Sequence, residues 1–246
     1  KNQNYKYNKN YIGIILSAGK SKRLKEKLNI KSKNLIEIKN GKTSLDYNIE
    51  KLEKIGIEKI FINTHHHHKL FTRKLKVRKP NNNRIKLINE KKILGTAGGV
   101  LNICSKFPEY KNVIVLYGDN ISKINLKNII KRHEGLKSFF SVVVYKLKDF
   151  KNSGVVKFDT DHIITSFVEK KNSKAEKNNW VNSGIYIINK KILTNFKVKN
   201  SDFAKDIIPF ILEKKITNIY AIKTSLRVFT IDNFDLMKKS KKEINF

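Results

Sequence analysis

Four short apolar runs in the first half of the chain, each trailed by a stretch of helical spacing, constrain its fold more than any other feature. The runs at 11–16, 59–63, 85–88 and 112–116 are rich in Ile, Val and Phe, and short enough for strands buried on both faces. The stretches 43–55, 65–74, 96–104 and 126–133 read as helices; in the first, Leu45, Ile49, Leu52 and Ile55 share one face. Strand–helix alternation of this kind predicts an α/β fold, a doubly wound, mostly parallel mixed sheet. Ligands of such sheets gather at the carboxyl ends of the strands, where residues 17–23 and 118–120 fall. The second half is richer in strand patterns, at 141–145, 155–158, 163–167, 181–188, 219–222 and 228–231. Helices are expected at 203–212, kinked or ended by Pro209, and at 234–244. Without a composition shift or a long linker, 11–246 reads as one domain with two lobes, behind a disordered or linker N-terminus at 1–10.

Hydrophobic residues make up 39% of the 246, which suits a globular chain with a large core. No apolar run reaches the length of a membrane span, and residues 1–10 lack the apolar middle of a signal peptide. The one Met is Met237, so residues before Lys1 are expected to be missing, and a fused preceding segment stays open. Cys104, the single cysteine, excludes an intrachain disulfide and a Cys-rich zinc site; a cytoplasmic location follows as the expectation. The formal net charge of +32 invites a nucleic-acid reading. Of the 53 Lys and Arg, however, only six are arginine, the residue that base readout favours. The lysines are spread along the whole chain, and Lys, Asn and Ile together match A/T-rich coding. The expectation is a solvated lysine surface that draws in anionic substrates, with no specific nucleic acid as partner.

Three stretches carry candidate chemistry. The apolar strand at 11–16 runs into Ser17-Ala18-Gly19-Lys20-Ser21-Lys22-Arg23, with Lys33 ten residues after Arg23. Between Lys20 and Lys33 stand seven basic residues and one acidic residue, Glu26. Small residues let backbone N–H groups approach phosphate oxygens, and the cations neutralise them. The Walker spacing is absent, because Gly19 is the only glycine here. Next, Glu90 precedes Leu94-Gly95-Thr96-Ala97-Gly98-Gly99. Glycines opening a helix could bring its N-terminus to a nucleobase or phosphate. The Glu90 carboxylate could accept from N1–H and the amino group of guanine. Finally, Gly118-Asp119-Asn120 ends an apolar strand, and a carboxylate there is a hard oxygen ligand suited to Mg²⁺. The four histidines at 65–68 cannot all face one ion, because consecutive helical residues diverge.

Taken in order, these motifs resemble the signature of the sugar-1-phosphate nucleotidyltransferases, in particular the mannose-1-phosphate and heptose-1-phosphate guanylyltransferases. The first loop matches L-x-A-G-x-x-x-R-L with a downstream Lys, and the second E-x-x-x-L-G-T-A-G. Further on stand Gly154-Val155-Val156, Phe167-Val168-Glu169-Lys170 and Asn182-Ser183-Gly184, similar to the family's sugar-phosphate side, and Asp232 before the last helix. The resemblance implies a Rossmann-like, GT-A-like nucleotidyltransferase fold with a β-rich sugar-binding lobe. It implies NTP binding by Leu16, Ser17, Ala18, Gly19, Glu90, Gly95 and Thr96, and catalysis by Arg23, Lys33, Asp119 and Lys170. Gly154, Glu169, Lys170 and Asn182 would hold the sugar phosphate. Asp119 and Asp232 would hold Mg²⁺, with Asp235 the alternative to Asp232. The implied reaction joins an NTP, GTP first, to a mannose- or heptose-type sugar 1-phosphate in nucleotide-sugar biosynthesis for cell-surface polysaccharide. Alternatives are UTP or dTTP as donor, or a non-catalytic regulatory member of the fold; a homo-oligomer stays open. Ser21, Ser32 and Lys171 depart from the family's Gly, Pro and Pro, and the Gly-Thr-Pro expected after Asp232 is missing.

Overall fold

The computed structural model describes residues 10–21, 24, 32–78, 83–147, 153–169, 179–231 and 237–238. The chain opens on β1 (Tyr11–Leu16), followed by a 3-10 turn at Lys33–Leu35 and a small hairpin of β2 (Glu37–Lys39) and β3 (Lys42–Thr43). Asn40 and Gly41 close that hairpin with φ of 52° and 72°, the left-handed pair that an Asn-Gly turn adopts readily. Helix α1 (Ser44–Lys54) starts on a capping box, in which Thr43 and Asp46 satisfy each other's backbone N–H. Then come β4 (Ile60–Thr64), α2 (His68–Arg78), β5 (Ile85–Asn89), α3 (Gly95–Lys106), β6 (Asn112–Tyr117), β7 (Asn120–Ser122) and α4 (Leu126–Gly135). The β-rich half holds β8 (Phe140–Leu147), β9 (Gly154–Phe158), β10 (Ile164–Glu169), β11 (Asn179–Asn189) and the short α5 (Lys190–Leu193). A π-helical turn at Phe203–Ile207 leads into α6 (Ile208–Lys214), followed by β12 (Ile219–Thr224) and β13 (Val228–Thr230).

The main sheet runs β10-β9-β11-β6-β1-β4-β5, with β8 paired to β11 and β12. β1 lies parallel between β4 and β6, and β5 extends the parallel half. β11 joins antiparallel on β6. This is the mixed, mostly parallel sheet expected, and its β1 and β6 run continuously apolar because both faces are covered. Ile12, Ile14, Val113 and Val115 face one core with α3; Ile15, Ile114 and Leu116 face the other with α1 and α4. Strand order reverses at β1, so the crevice between the carboxyl ends of β1 and β6 is the place where such sheets take ligands. Among the described residues no helix is long and apolar enough to cross a membrane.

Two local expectations shift. The helix placed at 65–74 begins only at His68, because β4 continues to Thr64 and His67 takes a left-handed φ of 63°. Pro209 neither kinks nor ends its helix; it stands in the first turn of α6, where its missing N–H costs nothing. The helix expected at 234–244 lies, apart from residues 237–238, outside the described residues. Cys104 is buried on α3, and burial pushes its thiol up to about 12.

Candidate active site

The loop after β1 and the loop after β6 meet at one rim of the sheet. Gly118 N–H donates to the Leu16 carbonyl at 2.9 Å. A Cβ on Gly118 would lie 2.6 Å from both the Leu16 carbonyl and Ser17 Oγ, so only glycine lets the loops approach this closely. Lys33 Nζ reaches across and pairs with Asp119 Oδ2 at 2.5 Å, with both side chains about five-sixths buried. The Lys33 N–H donates to Ser21 Oγ at 3.1 Å. Among the described residues a Cβ on Gly19 would meet only Lys33 Cε, at 4.0 Å, which leaves space above the glycine. Leu16, Ser17, Ala18, Gly19, Lys33 and Asp119 are thus neighbours. Arg23, Lys170, Asp232 and Asp235 lie outside the described residues.

The two serine departures have a visible geometry. Ser21 takes φ 54°, a conformation that glycine enters freely, and its hydroxyl holds the Lys33 backbone. Ser32 takes φ −149°, which a proline ring could not reach.

Asp119 is bracketed on all sides. Asn48 Nδ2, from α1, donates to the carbonyls of Gly118 (3.4 Å) and Asn120 (3.0 Å), which flank it. Lys51 Nζ, one turn on, donates to Ser122 O and Oγ at 2.7 Å each. Burial without an acidic partner pushes the Lys51 ammonium down to about 8. β13 pairs with β7, and Ile231 N–H donates to the Asp119 carbonyl at 2.9 Å.

Among the described residues no trio of His, Cys, Asp and Glu could hold a metal, and the histidines at 65–68 do not converge. His65 instead pairs with the Glu90 carbonyl and His68 with Thr64 Oγ1. Mg²⁺ asks for less, one or two carboxylates plus water and phosphate oxygens. Around Gly118, the residue before Asp119, Ser17 Oγ and Asn34 Oδ1 are buried without a hydrogen-bond partner among the described residues. A carboxylate matched by an ammonium, next to two unsatisfied buried oxygens, fits a hydrated divalent cation.

The sugar-side candidates reach the same rim from the antiparallel half. Gly154 on β9 pairs with Glu169 on β10, and its neighbour Val155 pairs with Val181 on β11. A Cβ on Gly154 would meet Phe167 at 3.1 Å and Asn182 at 3.7 Å. Between Asn182 and Tyr186 the pairing with β8 shifts, and this bulge throws Ser183 and Gly184 toward β6. Gly184 takes φ 74°, and its missing side chain makes room for Tyr117 and Asn120. Asn182 Oδ1 accepts from Gly184 N–H at 2.9 Å, and Nδ2 donates to the buried Tyr186 hydroxyl at 2.7 Å. Among the described residues these contacts use one of the two amide hydrogens of Asn182.

Two of the expected nucleotide-side segments carry contacts within the fold. Glu90 is 3% exposed, and both its oxygens are occupied: Asn63 Nδ2 donates to Oε1 at 2.8 Å, Leu94 N–H to Oε2 at 3.1 Å. Asn63 in turn accepts from Ser17 N–H at 2.7 Å. In the fold Glu90 braces the end of β5 against β4 and the first loop. The start of α3 is likewise engaged. Ala97 and Gly98 N–H donate to the Ser201 carbonyl at 3.0 and 3.2 Å, and Thr96 Oγ1 donates to Asp202 at 2.7 Å. A Cβ on Gly95 or Gly98 would run into the carbonyls of Ser201 and Lys199. These glycines admit the chain's own 199–203 segment. Sequence reasoning missed Asn34, Asn48 and Asn63; of these, only Asn63 carried a signal, as the first residue of the Asn63-Thr64-His65-His66 segment that ends β4.

Comparison with known proteins places this geometry. The family model described as nucleotidyl transferase matches residues 12–226. A mannose-1-phosphate guanylyltransferase catalytic subunit beta from Drosophila pseudoobscura pseudoobscura is 29% identical over 85% of this chain and 56% of its own length. A D-glycero-alpha-D-manno-heptose 1-phosphate guanylyltransferase from Aneurinibacillus thermoaerophilus is 30% identical over 73% of this chain and 75% of its own. Glucose-1-phosphate adenylyltransferases match too, over less than half of this chain. The chain spans between about a third and somewhat over half of the length of the first curated relatives it matches. The crystal structure of HddC from Yersinia pseudotuberculosis complexed with GMP-PN overlays with a TM-score of 0.79 at 26% identity, covering 95% of this chain and 99% of that one.

Proposed function

The chain belongs to the nucleotidyl transferase family, and on that footing we propose that it transfers a nucleoside monophosphate from GTP to a mannose- or heptose-type sugar 1-phosphate, releasing pyrophosphate. The observation that carries the reading is the convergence at one rim: the Ser17–Ala18–Gly19 loop, the Lys33–Asp119 pair, and the Gly154, Glu169 and Asn182 positions on adjoining strands. GTP and the manno-type acceptor are supported by the names of the guanylyltransferase relatives and by the GMP-PN complex of the structural neighbour. Glu90 gives no support, its oxygens being engaged.

A phosphate oxygen of the sugar 1-phosphate attacks the α-phosphorus in line. The bond from that phosphorus to the bridging oxygen breaks, and pyrophosphate leaves with the electron pair. The attacking oxygen is already anionic, so no general base is required, and positioning with charge neutralisation supplies the catalysis. Lys33 transfers its ammonium from Asp119 to the triphosphate, and the open space above Gly19 admits the phosphates. Asp119, and on the family resemblance Asp232, would hold Mg²⁺, which when bound neutralises phosphate charge and polarises the reacting group. Arg23 is assigned to the leaving pyrophosphate, and Lys170 to the attacking phosphate. A cytoplasmic location belongs to the same proposal.

Pyrophosphate release in Mg²⁺, with GTP, UTP, dTTP and ATP each set against mannose, heptose, glucose and N-acetylglucosamine 1-phosphates, tests the reading. Turnover with GTP and a manno-type acceptor is expected. Preference for another nucleotide would keep the reaction and move the base; no release from any pair would leave only a regulatory member of the fold.

A further inference from the structure

Asn120 follows Asp119 directly and ties three elements together through one short amide. Its Nδ2 donates to the Ser183 carbonyl at 2.9 Å, and its Oδ1 accepts from the Thr230 hydroxyl at 3.0 Å. Its own carbonyl accepts from Asn48 at 3.0 Å. Ser183 sits in the β11 bulge between Asn182 and Gly184, and the Gly184 hydrogen faces the amide: a Cβ there would be 2.7 Å from Asn120 Nδ2. Thr230 lies opposite Asn120 on β13, and the next residue, Ile231, holds the Asp119 carbonyl. The turn on the sugar side, the backbone carrying Asp119 and the strand leading to Asp232 are therefore joined at one side chain. Both of its polar ends are needed, a donor toward Ser183 and an acceptor toward Thr230; a carboxylate would set an acceptor against the Ser183 carbonyl.

We propose that Asn120 is a positioning residue that couples the two substrate subsites. Seating of the sugar 1-phosphate against the 182–184 turn is transmitted through Asn120 to Asp119, so that the sugar phosphate and the Mg²⁺-nucleotide raise each other's affinity. Linkage makes that effect reciprocal. The inference rests on the functional reading above.

The test starts from a wild-type protein shown to release pyrophosphate from GTP and mannose 1-phosphate. Calorimetry then measures mannose 1-phosphate binding with and without Mg²⁺ and a GTP analogue carrying a methylene between the α- and β-phosphorus. The analogue is expected to tighten wild-type binding about fivefold or more. Asn120→Ala, and Asn120→Asp should the first variant fail to fold, are expected to bring that ratio close to one. Asn48→Ala, which loosens the same loop without touching Ser183, is expected to keep the ratio even where turnover slows. An unchanged ratio in the folded Asn120 variants would overturn the coupling, as would a ratio near one in an active wild type. A wild type that turns over no pair would instead remove the functional reading, and the coupling with it.

Discussion

Glu90 and Lys33 illustrate how differently two charged residues can be used within the same rim. Lys33 spans from the first loop to Asp119 and sits where a triphosphate would take over its charge. Glu90 is closed in by Asn63 and the Leu94 N–H, and Gly99 is a glycine because a Cβ would lie 2.6 Å from Asn63 Nδ2 and 2.8 Å from Glu90 Oε1. A buried carboxylate with both oxygens engaged contributes to folding through charged hydrogen bonds. Glu90→Gln is therefore expected to lower stability by about 1–3 kcal/mol in urea unfolding, because the new amide hydrogens face donors. The preference between GTP and UTP, taken as a kcat/KM ratio, is expected to stay where it was. A change of preference with unchanged stability would restore Glu90 as the reader of the base. Lys33 and Asp119 stood out in the sequence as a cation after a small-residue loop and a carboxylate at a strand end, and the fold pairs the two. The partner of Glu90, Asn63, comes from another parallel strand, and nothing in local spacing announces that pair.

The elements themselves were legible where burial dictates pattern. β1, β4 and β6 are covered on both faces and so spell continuous apolar runs, whereas the β2–β3 hairpin has charged flanks and only its Asn40-Gly41 turn to announce it. The helix expected at 203–212 forms, but nothing local signalled that its first part, Phe203–Ile207, is π-helical. It depends on Asp202, which caps its start, and on Thr96, whose hydroxyl bonds both Asp202 and the Phe203 N–H. Helix α4 carries a different kind of long-range dependence. His133 is buried, and a chain of hydroxyls fixes its tautomer: Ser141 Oγ donates to Ser138 Oγ, which donates to the Phe140 carbonyl. Ser141 Oγ is left to accept from His133 Nδ1 at 2.8 Å. Burial pushes the imidazole down to about 4 from 6.5. Between those values the unfolded chain takes up a proton that the folded one refuses, so stability falls as pH drops below 6.5 and this loss levels off below about 4. At about 1.4 kcal/mol per pH unit, the loss from this group between about pH 7 and pH 5 is roughly 2 kcal/mol. Urea midpoints at those two pH values should show this slope in the wild type and lack most of it in His133→Asn. An equal slope in the variant would place the acid sensitivity elsewhere.

At the scale of the whole molecule, the sheet order explains why two halves of different character serve one site. The parallel half ends its strands at the rim, and β11, running antiparallel on β6, brings its early residues back to that rim. The +32 net charge suits a site whose proposed substrates are two anions, a nucleoside triphosphate and a phosphate monoester. Phosphorus NMR of GTP, mannose 1-phosphate and Mg²⁺ with the wild-type protein and with Asp119→Ala tests nucleotidyl transfer at this rim most directly. With the wild type, paired diphosphate resonances of a GDP-sugar should grow in step with pyrophosphate. With Asp119→Ala, verified as folded by its melting curve, both should form at least about a hundredfold more slowly. Equal rates in the two proteins, or pyrophosphate without a nucleotide-sugar, would contradict transfer at Asp119.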